Sequence, residues 1–430
     1  MIHHKTAEDI EVNTIPPPVR KKYDAVPART LQKEEVLFMN SRYKQSQVTP
    51  LSPNWGPILT IYIALKPLYL SQSGSLQICD IFMVFGLIYL FFSSHGRVCL
   101  PVYAKPFIKA LLAFTVFVIA INGLWTLTGY SYIKPILYYV FNFFAVIICL
   151  CVYQKNGKQV FEQAIFQGVF LSAIIALLGL VINASSGRAT GFFNNPNQLG
   201  YYGVVIFSLA LLPKKNHWNI ATWFVLLVGC SCVVLSLSKA AFVSLMVQIL
   251  LYVIFARNQQ SATALVKRGF WLLFFGVVLY LFLFTDVLSG SVFDPLIRMR
   301  KRLFSSLNEG DSDFGSGRGY DRIKELGIHF LWGMAEGNYS RFVSLSGLEA
   351  HSTYVSVLVS YGLIGFLLYI FFLAIAIFRK NRTLKNCAIA SGPLLYGLTH
   401  NGIRNTLVWI LLVSIYLLGS ETEYEKMSTK

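Results

Sequence analysis

HSTYVSVLVSYGLIGFLLYIFFLAIAIF, residues 351–378, is the stretch that decides the fold. After its first polar residues it stays apolar for long enough to cross a bilayer as an α-helix, which takes about 20 residues. It follows the one long polar interval in the hydrophobic part of the chain, residues 286–350. This pattern predicts a membrane helix that begins where a large loop outside the membrane ends.

The composition extends this prediction to the whole chain. Of the 430 residues, 55% are hydrophobic and 15% aromatic, and the mean hydropathy is +0.56. Charged residues make up 13%, whereas soluble globular proteins have about 25%. The alternating pattern of a membrane β-barrel is absent. The sequence therefore predicts an all-α polytopic membrane protein.

Apolar segments divide the chain into regions. The twelve segments are roughly 55–70, 77–94, 107–127, 132–153, 160–183, 198–212, 218–236, 240–256, 269–285, 352–378, 385–400 and 405–419. We therefore expect about 12 transmembrane helices, nine within 51–285 and three within 351–419. The loop 286–350 separates them and contains short helices. The polar residues 1–50 and 420–430 are predicted to be tails, the first of them disordered.

Basic residues predict the orientation. The side that carries the tails holds thirteen loop cations: Arg97, Lys105, Lys155, Lys158, Lys214, Lys215, Arg257, Lys267, Arg268, Arg379, Lys380, Arg382 and Lys385. Apart from the long loop, the other side holds four: Lys134, Arg188, Lys239 and Arg404. The positive-inside rule then puts both tails in the cytoplasm and the long loop outside. Topology explains the net charge of +17 better than a nucleic-acid partner does.

Cations also mark the outer ends of the helices. Arg188, Lys239, His351 and Arg404 each lie at or just before the N-terminal end of a segment that runs inward. A helix N-terminus has unpaired N–H groups and partial positive charge, so these ends would form an anion site if they converge. The alternative is that each cation contacts lipid headgroups.

GRATGFFNNPNQLG, residues 187–200, shows how one of these ends is built. Asn195 is a natural N-cap, and Pro196 is tolerated in the first turn of a helix. Helix capping does not explain why Arg188 lies close in sequence to the polar Asn197. We therefore predict that Arg188 and Asn197 contact a ligand.

His351 precedes Ser352, which is a predicted N-cap. A single histidine at a membrane interface is often structural, and we assign such a role to His400. Neutral histidine can also accept a proton from a hydroxyl group, and His351 follows a long polar loop. Gly362 and Gly365 are expected to allow close helix packing.

The long loop contains a basic run, RMRKR (298–302), and a flexible acidic link, NEGDSDFGSG (308–317). Apolar residues then recur with helical spacing and predict an amphipathic helix over 318–332 that lies on the membrane surface. Arg318 at its start is a further candidate for binding an anion.

Several motifs are missing from the sequence. It contains no phosphate-binding glycine loop with lysine, no dinucleotide fingerprint and no HExxH. The seven cysteines lie in or beside apolar segments, which indicates packing. We therefore predict no metal site and no cofactor.

Four pieces of the chain resemble the bacterial O-antigen ligase and polymerase superfamily. They are RATGFFNNPNQLG (188–200), SLSKAAF (236–242), GRGYDRI with LWGMAEG (317–323 and 331–337) and HSTYVSVLVSYGLIG (351–365). The resemblance covers roughly residues 180–365. It implies a metal-independent, inverting glycosyltransferase in the inner membrane, with its active site facing the periplasm and an undecaprenyl-diphosphate-linked oligosaccharide as donor.

The resemblance also implies roles for individual residues. His351 would assist the attack of the acceptor hydroxyl, and Arg188 and Arg318 would bind the diphosphate, with Arg404 as a further candidate. The chain departs from the family's SxSR-like turn at Lys239, which keeps the charge and loses the bidentate geometry of arginine. Membrane lipid and a chain-length regulator are the other partners that the resemblance allows for.

Three alternatives to a polymerase stay open. A ligase of the same family would use lipid A–core as its acceptor, and a third member class would transfer the glycan to protein. A transporter of lipid-linked oligosaccharide should show internal repeats and charges at mid-membrane. We find no repeat, and we expect Lys66, the main charge away from a helix end, to extend toward the membrane surface.

Overall fold

The computed structural model describes residues 54–71, 76–95, 98, 100–129, 133–183, 187–212, 219–255, 262–285, 293–308, 318–337, 350–378 and 383–418. Within these ranges all regular structure is helical, and no strand is present. The predicted tails, 1–50 and 420–430, and most of the predicted link 308–317 lie outside them.

Thirteen α-helices follow one another in the described part of the chain. They are α1 (Gly56–Leu65), α2 (Ile78–Ser93), α3 (Lys105–Leu127), α4 (Ile133–Ile182), α5 (Pro196–Ala210), α6 (Ile220–Leu235), α7 (Lys239–Phe255), α8 (Ala262–Phe284), α9 (Asp294–Asn308), α10 (Arg322–Glu325), α11 (Thr353–Ile377), α12 (Thr383–Tyr396) and α13 (Thr406–Leu418). Short 3-10 helices cover Val102–Ala104 and Gly327–Phe330.

Three helical stretches are long and apolar enough to cross a membrane: Val102–Leu127, Ile133–Ile182 and Thr353–Ile377. Several others are apolar but shorter, among them α1, α2, α7 and α13. Each of the twelve apolar segments overlaps a helix, so the helical class of the protein is as predicted. α9, in the long interval before α11, is a further helix with a basic sequence.

The 50-residue α4 consists of two arms that meet at Gly157. This glycine has φ 83° and ψ 168°, a conformation open essentially only to glycine. The break falls in the polar sequence between two predicted segments, 132–153 and 160–183. The two segments are therefore separate helices joined by a single bent residue rather than by a loop.

The helices pack into one core. α1 packs on α4, α5 on α6, α7 on α12, α11 on α3, and α13 on α4. α13 lies at the centre, because every one of its residues is buried. α8 contacts chiefly α7 and α9, and most of its described side chains are exposed, so it lies at the edge of the bundle.

α11 is broken at Gly362, which has φ 63° and ψ −170°. The segment 331–335 fills the break through three backbone hydrogen bonds: Met334 N to Val359 O (3.0 Å), Ala335 N to Ser360 O (2.7 Å) and Ile364 N to Leu331 O (3.0 Å). The expectation that Gly362 only lets helices approach closely is therefore wrong. Gly365 does lie in a close contact, against Tyr361 and Phe117.

The single amphipathic helix expected over 318–332 is not formed. Only α10 and the 3-10 turn Gly327–Phe330 are helical, and Gly327 adopts a positive φ of 46° between them. Arg322, which an interfacial helix would expose, is fully buried. Helical spacing was a poor guide here because the segment forms two short turns: the first buries Arg322, and the second leaves Ile328 exposed.

The two predicted N-caps are present, and the prediction that Lys66 extends to the membrane surface is wrong. Asn195 accepts a hydrogen bond from Gln198 N, and Ser352 accepts one from Val355 N. Lys66 does not extend to the surface: it is buried, and its Nζ lies 3.5 Å from Asp80 Oδ1. A buried ammonium group needs such a partner, because an isolated charge is costly in an apolar interior.

Candidate functional site

Hydrogen bonds join helix ends that the sequence places on one side. Ala189 N donates to Leu235 O at 3.0 Å, which links the chain before α5 to the end of α6. The hydroxyl of Tyr396, at the end of α12, donates to Asn197 O in the first turn of α5 at 2.9 Å. We call the surface formed by residues 187–197, 236–239, 318–320, 350–353 and 397–405 the site face.

Arg188 is held in place by two acceptors on the site face. Its Nε donates to Ser236 O at 3.0 Å, and its Nη2 donates to Asn197 Oδ1 at 2.6 Å. Burial, followed by the positive charge of Arg302 on α9, lowers the pKa of Arg188. An anion placed between these two guanidinium groups would relieve their repulsion.

Arg318 and His351 are joined through the backbone. His351 N donates to Arg318 O at 3.1 Å, and Arg318 Nη1 donates to Thr399 O at 2.7 Å. The imidazole of His351 is exposed. The turn 397–405, between α12 and α13, therefore holds Arg318 beside an accessible histidine.

His400 lies in the same turn and is mostly buried. Its ring stacks on Tyr396 with centroids 4.6 Å apart, and Tyr396 stacks on Tyr201 at 4.4 Å. Burial, followed by the positive charges of Arg318, His351 and Arg188, lowers the pKa of His400 to about 3. The imidazole is thus neutral at physiological pH, and Tyr396 links it to Asn197, the partner of Arg188.

Lys239 lies at the edge of this group. It is the first residue of α7, three positions after Ser236, whose carbonyl oxygen binds Arg188. None of the described contacts joins its ammonium group to Arg318 or His351.

Arg404 is engaged elsewhere. Its Nη2 lies 2.5 Å and its Nε 3.1 Å from Glu336 Oε2, and its guanidinium carbon lies 5.4 Å from the ring centre of Tyr138. Glu336 is only 1% exposed. Because the pair is so close, the positive charge of Arg404 is already balanced, and its predicted role in binding diphosphate has no support from these contacts.

Sequence reasoning missed two residues of this region. Glu336 lies within the quoted piece LWGMAEG, and a carboxylate in so apolar a segment could have been recognised as needing a buried partner. His400 was assigned a structural role. Nothing in its local sequence indicates that its ring stacks on Tyr396, in the turn whose Thr399 binds Arg318.

The site face favours an anion with more than one charged oxygen, because Arg188 and Arg318 present separate guanidinium groups. Among the described residues, no group of three or more His, Cys, Asp and Glu side chains could hold a metal ion. A scan against models of protein families found no match to this chain, and a search of curated proteins found none either.

Proposed function

We propose that the protein is a membrane glycosyltransferase that polymerises undecaprenyl-diphosphate-linked oligosaccharide repeat units at the periplasmic face. The observation that carries this proposal is a set of hydrogen bonds on the site face. They join His351 to Arg318 and Arg318 to Thr399 in the turn 397–405. They also join Arg188, through Asn197, to Tyr396 at the end of α12. Arg188, Arg318 and His351 are the residues to which the resemblance assigns the donor diphosphate and the acceptor hydroxyl. A growing glycan would pass from undecaprenyl diphosphate to the terminal sugar of another lipid-linked unit.

In this proposal the residues divide the chemistry between them. His351 accepts the proton of the acceptor hydroxyl as that oxygen attacks the anomeric carbon. The bond from the anomeric carbon to the phosphate oxygen breaks, and Arg188 and Arg318 stabilise the charge of the departing diphosphate. Asn197 orients Arg188 through its side-chain oxygen. Lys239 adds positive charge at the edge of the site.

The proposed membrane arrangement has twelve crossings in the bacterial inner membrane, with both termini in the cytoplasm. The helix ends that this arrangement puts outside are those that hydrogen-bond on the site face. Single-cysteine labelling tests it. Residues 188 and 351 should react with a membrane-impermeant reagent added from the periplasm, and residue 257 should not.

The function is tested in cells that lack their own gene and carry either the wild type or His351→Ala. Surface glycan is resolved by length, and lipid-linked intermediates are measured beside it. If the protein is a polymerase, the deletion leaves single repeat units on the acceptor. His351→Ala should do the same at wild-type protein levels, with at least a hundredfold loss of polymer, because general base catalysis is worth about 10²–10⁴-fold.

Other outcomes separate the alternatives. Full-length polymer stranded on undecaprenyl diphosphate identifies a ligase that uses lipid A–core. Normal glycan in the His351→Ala strain contradicts the catalytic role of His351. Asp80→Asn is the control, since it removes the partner of the buried Lys66, outside the contacts of Arg188, Arg318 and His351, and should leave chain length unchanged.

A further inference from the structure

Glu336 is the one buried carboxylate among the described residues, and both of its oxygens accept hydrogen bonds. Oε1 accepts hydrogen bonds from Tyr139 Oη at 2.6 Å and Tyr361 Oη at 2.8 Å, while Oε2 accepts both bonds from Arg404. Its backbone N–H donates to Asn122 Oδ1 at 3.1 Å. Hydrogen bonds to a charged group are strong, and removing one partner leaves a costly buried charge.

The segment that carries Glu336 is attached to the turn 397–405 at both ends. At one end, Arg318 binds Thr399 O, and Tyr320 Oη donates to Leu398 O at 2.8 Å. At the other end, Glu336 binds Arg404. The turn 397–405 therefore connects the two ends of segment 318–337, and the ion pair fixes the turn at Arg404.

The break in α11 lets the Glu336–Arg404 ion pair lie inside the bundle. Ser360, which accepts from Ala335, lies seven residues after the start of α11, or about 10 Å along a helix at 1.5 Å per residue. Tyr361, beside the break, reaches Glu336. Segment 331–337 thus enters the bundle from the site face, and Glu336 lies at its inner end.

A carboxylate is not needed to fill this space. A buried ion pair stabilises no better than apolar side chains of similar volume in many proteins, so packing alone does not explain it. An ion pair does define the distance and direction between two backbones. Here one backbone is the turn 397–405, which carries the Thr399 carbonyl that binds Arg318. The other is segment 318–337, which contains Arg318 itself.

We propose that Glu336 is a positioning residue of the site: through Arg404 it sets the turn 397–405, and through that turn it sets Arg318 and His351. The chain of contacts runs from Glu336 to Arg404, along the turn to Thr399 O, to Arg318, and from Arg318 O to His351 N. Its effect on catalysis rests on the function proposed above, whereas its effect on the turn does not.

The first test needs no enzymatic activity. Amide hydrogen exchange of the full-length protein in lipid nanodiscs is compared for wild type, Glu336→Gln, Glu336→Asp and Asp80→Asn. Gln keeps the shape and removes the charge, so exchange should speed up about tenfold in peptides covering 351–353 and 397–405. Asp keeps the charge and should restore part of the protection.

Asp80→Asn is the control because it removes the partner of Lys66, a buried cation outside the chain of contacts from Glu336 to His351. It should leave exchange in 397–405 at the wild-type rate. If Glu336→Gln speeds exchange only within 331–337, or if Asp80→Asn speeds 397–405 equally, the proposed positioning role is wrong. Should Glu336→Gln fail to fold, Tyr361→Phe removes one bond to the carboxylate and is measured instead, with a smaller increase expected in the same peptides.

The second test is a double-mutant cycle in a polymerisation assay. Glu336→Gln and Arg318→Gln should each lower kcat at least tenfold, and the double variant should be no slower than Arg318→Gln alone, since both changes misplace the same guanidinium. Multiplied effects would mean that Glu336 acts independently of Arg318, and would overturn the proposal. If the wild type transfers no glycan while the exchange pattern holds, only the proposed function fails.

Discussion

Two helices of this protein are broken at a glycine, and the two breaks have different surroundings. At Gly157 in α4 and at Gly362 in α11, φ is positive and ψ is near 180°. A Cβ atom added to Gly157 would meet nothing within 4 Å, whereas one added to Gly362 would collide with the backbone of Leu331 and Trp332. The first break is an open bend, and the second is a place where another segment enters.

This difference shows that the same backbone conformation serves two purposes. At Gly157 the chain only bends between two helices, and Trp55 lies at the bend: its backbone N–H donates to Asn156 Oδ1 at 3.1 Å. At Gly362 the freed carbonyl groups of α11 accept hydrogen bonds from segment 331–335. Polar backbone can be buried in an apolar bundle only when it is paired in this way.

Gly362→Ala should have the largest effect of the changes that separate the two breaks. The substitution combines an unfavourable backbone conformation, costing about 1–3 kcal/mol, with a collision against a buried backbone, costing about 1–3 kcal/mol more. We expect a clear drop of the thermal unfolding midpoint in detergent micelles. A midpoint within one degree of wild type would mean that segment 331–335 does not fill the break.

Gly157→Ala should have a smaller effect, because it adds the backbone cost of about 1–3 kcal/mol and no collision. The same thermal unfolding measurement serves for both variants, and Gly123→Ala is a helical control with open space around it. If Gly157→Ala destabilises as much as Gly362→Ala, then the filling of the second break contributes nothing measurable.

Acidification should have the smallest effect of the three changes, and it should affect the region near the Gly362 break more than the Gly157 bend. The pKa of His400 is lowered to about 3 in the folded protein, against about 6.5 in the unfolded chain. Its contribution is therefore complete above pH 6.5 and is lost as the pH falls toward 3. Lowering the pH to 5.5 should cost about 1 kcal/mol and speed amide exchange in 397–405, next to the segment that fills the Gly362 break.

The Gly157 bend should exchange at the same intrinsic rate after correction for pH. His400→Gln removes the titrating group and should abolish the additional loss of stability between pH 6.5 and 5.5. An unchanged pH dependence in that variant would assign the effect to another group.

Apolar patterning and local chemistry were sufficient to predict much of the architecture. The helical class and the caps Asn195 and Ser352 depend on residues close in sequence, whereas the twelve membrane crossings stay a prediction. The break at Gly362 could not be predicted, because a glycine in an apolar run looks the same whether it packs a helix or interrupts one. The break at Gly362 depends on segment 331–335, which lies about thirty residues earlier in the sequence.

In the candidate site too, local sequence indicated some residues, and contacts with distant segments determined others. Arg188, Arg318 and His351 were proposed from their positions at helix and loop ends. A backbone hydrogen bond joins Arg318 and His351, and their functional roles stay a prediction. The pairing of Arg404 with Glu336 and of Lys66 with Asp80 was not predicted. In both pairs a cation that looked unpaired in the sequence has a carboxylate from another segment, and no local pattern specifies that partner.

The arrangement of segment 318–337 also constrains the order in which the protein is completed. Tyr139 binds a carboxylate that is made 197 residues later, and Arg318 binds a carbonyl group made 81 residues later, in the turn between the last two helices. A ribosome has therefore synthesised 336 residues before the first contact can form and 399 before the second. Helices α11, α12 and α13 are all made after Glu336, so the centre of the bundle is completed last.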